Sequence, residues 1–82
     1  MELNEILSRR IKQLLTDRHY TQYELFVRSA VSCSSISMIL SCKVNDVHLS
    51  TILNICRGLN IKLSEFFDSE LFDFENISDN EQ

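Results

Sequence analysis

The sequence has no proline, no tryptophan and a single glycine, Gly58, in 82 residues. Sandwiches and barrels need turn residues at short intervals, so this scarcity argues for helices joined by short polar turns. No apolar run approaches the roughly 18 residues that cross a bilayer, and no charged-then-apolar leader precedes the first helical pattern. The expectation is a soluble, cytoplasmic protein with no membrane partner. Cysteine is sparse too: Cys33, Cys42 and Cys56 are odd in number and lack CxxC spacing, which reads as free thiols in a reducing compartment. A zinc site on Cys42 and His48 would be two ligands short. No paired carboxylates, Ser-His-Asp arrangement or phosphate loop stands out. The chain is therefore expected to be no enzyme and to use no metal or cofactor.

Basic residues are missing from one stretch in particular. Nothing after Lys62 is Lys or Arg, although seven of the twelve acids lie there. Residues 1–64 hold all eight Lys and Arg against five acids, a balance of +3, and the remainder carries −7. The total of −4 thus hides a mildly basic body. Local field, not the sum, governs encounter with an anionic partner.

What is present is helical periodicity. Leu7, Ile11, Leu14 and Leu15 mark a first helix over Asn4 to Arg18, with Asn4 as its expected N-cap and His19-Tyr20 as its end. Thr21 and Glu24 form a capping box ahead of a short second helix, about Gln22 to Arg28, in which Leu25 and Phe26 are expected to turn inward. Ser32 is the expected N-cap of a third helix, about Cys33 to Ser41. Its Ile36, Ile39 and Leu40 face the core, while Cys33, Ser34, Ser37, Met38 and Ser41 lie opposite. After the polar loop Cys42 to His48, the stripe Leu49, Ile52, Leu53, Cys56 and Leu59 defines a fourth helix that ends near Asn60. Ile61 and Leu63 lead into a fifth around Ser64 to Phe67. The predicted organisation is an all-α domain over residues 1–68 and an acidic, aromatic-containing tail over 69–82.

Two short helices joined by a tight turn, the second capped by serine and polar outside, have the layout of a helix-turn-helix. "TQYELFVRSAVSCSSISMIL", followed by "LSTILNICRGLNIKLSEFF", resembles the Xre-type branch of the lambda-repressor/Cro helix-turn-helix family. The resemblance covers about Leu7 to Phe67. It implies a five-helix DNA-binding transcriptional regulator, a repressor that occupies double-stranded DNA as a homodimer with helix 3 in the major groove. It further implies base contacts from Cys33, Ser34, Ser37 and Met38. Phosphate contacts would come from Thr21, Gln22, Ser41, Lys43 and Asn45, with Arg9, Arg10 or Arg28 added if they are suitably oriented.

The departures from the family pattern carry expectations of their own. Phe26 replaces a small residue and is expected to push helices 2 and 3 apart or to repack the core. Ala30 replaces the glycine of the turn and would be strained there at positive φ. Cys42 stands for the glycine after helix 3, Val47 for a proline before helix 4, and Lys62 for a capping serine. Serines bond any base, and Cys33 and Met38 only pack, so direct base discrimination should be modest. In the tail, Leu71, Phe72, Phe74 and Ile77 exceed what a small monomer needs and are candidates for a dimer contact. The alternative reading is a helix-turn-helix repurposed for protein–protein interaction, antagonising another regulator.

Overall fold

Glu2 opens the first helix, α1 (Leu3–Arg18). The computed structural model describes residues 1–78, so the end of the 69–82 tail, with Asp79 and Glu81, lies outside the described residues. The Glu2 N–H donates to the Glu5 carboxylate at 2.9 Å, and its carbonyl accepts from Ile6 at 3.1 Å. The expected cap Asn4 is instead inside the first turn, because its side-chain amide has a better use. It donates to the Val44 carbonyl at 3.0 Å and pins the loop after the third helix.

Helices α2 (Gln22–Arg28), α3 (Cys33–Leu40), α4 (Leu49–Leu59) and α5 (Leu63–Phe67) follow, with 3₁₀ turns at Glu70–Phe72 and Phe74–Asn76. The capping box of α2 is complete: Thr21 Oγ1 accepts from the Glu24 N–H at 3.1 Å, and the Glu24 carboxylate accepts from the Thr21 N–H at 2.8 Å. Ser32 caps α3 by accepting from the Ser35 N–H at 3.2 Å. At Lys62 only half of this device exists, since a lysine side chain offers no acceptor; its N–H donates to Glu65 at 3.0 Å.

Three helices end in the same left-handed closure without a glycine. His19 (φ 57°), Cys42 (φ 61°) and Asn60 (φ 60°) each follow a helix, and the bonds Tyr20 to Leu15, Lys43 to Met38 and Ile61 to Cys56 close the wider ring at 2.9–3.0 Å. The glycine missing from the family pattern therefore matters at Cys42, not at Ala30. The turn at Ala30 is closed by the Val31 N–H on the Ser29 carbonyl at 2.9 Å, an inverse γ-turn whose centre has negative φ. Alanine adopts it without strain. Cys42→Gly should consequently raise stability by about 0.5–1 kcal/mol, the relief at positive φ exceeding the entropy cost of glycine. Thermal unfolding would show a higher Tm; an unchanged or lower Tm would mean Cys42 is unstrained.

The core runs from Leu7, Ile11, Leu14 and Leu15 of α1 through Leu25, Val31, Ile36, Ile39 and Leu40 to Ile52, Ile55, Cys56 and Leu59 of α4 and Phe66 of α5. Ile55 belongs to it and Leu49 does not; Leu49, in the first turn of α4, is 62% exposed. Burial, reinforced by the Glu65 carboxylate, pushes the Cys56 thiol up, so it stays protonated and inert in the interior. Ser8 is buried on the α1–α3 contact, where its hydroxyl donates to the Leu40 carbonyl at 2.8 Å. Phe26 departs from its expected inward position. α2 buries one side chain, Leu25, and the neighbouring ring, rotated about a quarter-turn around the helix, lies outside against Tyr23 with centroids 5.8 Å apart.

Candidate functional site

The surface shared by the start of α2, all of α3 and the loop after it is polar and open. Thr21 and Gln22 sit at the entrance of α2, both exposed. Thr21 Oγ1 spends a lone pair on its cap, which leaves its hydroxyl hydrogen free to donate outward. Cys33 and Ser34 occupy the first two positions of α3, and Ser37 and Met38 the next turn on the same side; all four are exposed. Lys43 and Asn45 follow in the loop, also exposed. All eight of these residues are thus exposed, on two helices that pack together and on the loop that follows them. Ser41 differs in one respect: its hydroxyl donates to the Ser37 carbonyl at 2.8 Å, so it must rotate before donating to anything else.

Helix α3 earns its position from three directions. Ile36, Ile39 and Leu40 bury its inner side, Ser32 fixes its start, and the Ser8 hydroxyl holds its last carbonyl. Between α3 and the start of α4 lies a small groove of about 160 Å³, lined by residues that include Ser35, Met38, Asp46, His48 and Thr51. His48 is the N-cap residue of α4. Among the described residues no three His, Cys, Asp or Glu side chains gather where they could hold a metal. No helix there is long and apolar enough to cross a membrane.

Three arginines of the +3 body are oriented by internal partners, which fixes where their charge lies. Arg10 donates from Nε to the Phe66 carbonyl and from Nη2 to the Glu65 carbonyl, each at 2.7 Å. Arg18 donates to the Leu59 carbonyl at 3.2 Å, at the end of α4. The Arg28 guanidinium lies over the Tyr20 ring, 4.3 Å from its centroid. Arg9 and Lys12 line a groove with Leu71 on the tail side of α1. Neither the arginine clamps nor this distribution was legible in the sequence, since the partners are carbonyls 41 to 56 residues away.

The tail folds back on the body. The Met1 amino group donates to the Asn76 carbonyl at 2.9 Å, and the Ser78 N–H to the Met1 carbonyl at 2.7 Å. Of the four tail residues singled out, Phe72 packs against Phe66 and Phe67, Leu71 and Ile77 are half-buried, and Phe74 is 92% exposed. A second apolar surface was missed by the sequence reading because Phe26 was turned inward in it: Tyr23, Phe26 and Val27 form an exposed ridge along α2.

A family model described as a Cro/C1-type HTH DNA-binding domain matches residues 10–71, three quarters of the chain. No match was found among curated proteins or among solved structures.

Proposed function

The chain belongs to the Cro/C1-type helix-turn-helix DNA-binding family, and from that premise we propose that it is a transcriptional repressor of modest sequence specificity. The family makes it a DNA-binding regulator, all-α and built around the helix-turn-helix of α2 and α3. In the proposed mechanism α3 enters the major groove, with Cys33, Ser34, Ser37 and Met38 at base edges. Thr21, Gln22, Ser41, Lys43 and Asn45 hold the phosphates, and the occupied site obstructs polymerase. Two copies pair through the tail surface of Leu71, Phe72, Phe74 and Ile77 in a cytoplasmic setting. The observation that carries the reading is the exposure of the α2 entrance and of the outer side of α3, on two helices that pack against each other.

Few cations on that face imply weak, shallowly salt-dependent binding. Fluorescence anisotropy on duplex DNA at low and moderate salt tests this. The Gln22→Ala/Lys43→Ala double variant should bind about tenfold or more weakly, with a salt slope smaller by about one. Equal binding by the variant would remove this face from the interface. Absence of binding by the folded wild type would favour the other reading, a protein-interaction module, for which the exposed α2 ridge of Tyr23, Phe26 and Val27 speaks.

A further inference from the structure

We propose that Phe74 of one copy docks into the α2 pocket of a second copy, so that the chain associates tail to α2 and not tail to tail. The inference rests on the pairing reading above and names the surface that receives the tail. Phe74 is a knob: 92% exposed, at the start of a 3₁₀ turn, with Asp73 and Glu75 on either side. The turn that carries it is held in place through the bond of the Asn76 side chain to the Glu70 carbonyl and the clasp at Met1. A knob presented on a fixed turn loses little freedom on docking.

A symmetric tail contact is poorly supplied. Phe72 is already packed on Phe66 and Phe67, and Leu71 and Ile77 are half-buried, which leaves one protruding ring per copy. Among the described residues, such a ring has no apolar pocket to enter on the other tail. A two-fold axis through the tail would also set Asp73 and Glu75 of one copy near the same acids of the other, and like charges across an interface are penalised.

The α2 surface is the complement. Tyr23, Glu24, Val27 and Arg28 line a shallow pocket of about 440 Å³, and Phe26 extends the apolar ridge beside it. The Arg28 charge is fixed at its edge by the Tyr20 ring, ready for Asp73 or Glu75. Glu24, the one acid there, has a carboxylate oxygen committed to the Thr21 N–H. Within one chain the two surfaces do not meet, because the tail packs on α1 whereas α2 packs on α3 and α4. Only a second copy can therefore bring this knob and this pocket together.

The test is sedimentation equilibrium of the full chain over about 1–200 µM, where a small contact populates by mass action, with Phe74→Ser, Val27→Glu and their equimolar mixture. Val27 is 62% exposed and glutamate keeps helix propensity, so both variants should fold, as circular dichroism would verify. The expected result is a wild-type mean mass that rises with concentration, monomer for each variant alone, and recovery of a dimer in the mixture, which retains one intact knob and one intact pocket. If Val27→Glu associates like the wild type while Phe74→Ser does not, the tail meets another tail; this inference falls and the pairing reading stands. A wild type that stays monomeric, or a Phe74→Ser variant that associates normally, overturns both. A mixture that remains monomeric while the wild type associates overturns the tail-to-α2 contact alone.

Discussion

Gly58→Ala is expected to lower stability by about 2 kcal/mol, although alanine is the better helix former by about 1 kcal/mol in an exposed helix. Gly58 lies in the last turn of α4 where that helix crosses the end of α2. A Cβ there would meet Ser29 Cβ at 2.9 Å, and the Arg28 carbonyl carbon and Ser29 Cα at 3.0 Å. Two of the three are backbone atoms, which cannot swing aside as a long side chain can. They are also held: the Ser29 N–H donates to the Leu25 carbonyl at 2.8 Å, and the Val31 N–H to Ser29 at 2.9 Å. Relief therefore requires α2 to slide away from α4, which loosens the packing beneath Leu25. Overpacking of this kind costs about 1–3 kcal/mol before relaxation and more where backbone must move. For a domain of this size about 2 kcal/mol lowers Tm by roughly 8–16 °C. Because Ser29 begins the turn into α3, the folded fraction should also bind DNA less tightly. A Tm equal to or above that of the wild type would mean that α2 accommodates the methyl group at no cost.

The single glycine was visible in the sequence, but its reason was not. Read locally, Gly58 looks like a helix-end residue beside Asn60 and nothing more. The close crossing that requires it comes from Ser29 and Arg28, 29 and 30 positions earlier. The same division runs through the rest of the molecule. Features decided within one turn of chain were legible: the Thr21–Glu24 box, the Ser32 cap, the left-handed Asn60, and the α2 bounds at Gln22 and Arg28. Features decided by packing partners were not. Asn4 has a cap-forming side chain, yet the Val44 carbonyl claims it. Phe26 is apolar enough to be buried, but a seven-residue helix with Leu25 already in the core has no second inward position. Leu49 fits the α4 stripe by spacing and still falls beyond the edge of the core. For the candidate site, the polar outer face of α3 could be read directly from the period of Ile36, Ile39 and Leu40. The tethering of Arg10 and Arg18 to internal carbonyls could not, because charge counting does not reveal which carbonyls lie in reach.

The larger effect is expected at Phe66, which joins the tail to the body. Its ring is fully buried, edge-on to Phe67 at 5.0 Å and tilted against Phe72 at 6.1 Å, while Phe67 and Phe72 are themselves 5.0 Å apart. Arg10 holds the Phe66 carbonyl from α1, so α5 is fixed from both the backbone and the side-chain side. Phe66→Ala removes the transfer free energy of the ring and leaves a cavity that the surrounding helices fill only partly, about 3–5 kcal/mol together. Two aromatic contacts are lost within that figure, each worth about 0.5–1.5 kcal/mol beyond burial. An 82-residue domain holds only about 4–12 kcal/mol in all, so the variant should lose a large share of its stability, with a much lower urea midpoint. Phe67→Ala, at a ring 39% exposed, should lose roughly 1–2 kcal/mol, since less apolar area leaves the interior. The contrast separates a keystone from a mere aromatic cluster: equal losses at the two positions would mean that the three rings share the load, and Phe66 would have no special place in it. A large loss at Phe66 would also explain why the tail is helical in its turns without burying a residue of its own below the exposure of the core. Its order is borrowed, through Phe72, from a ring that α5 supplies.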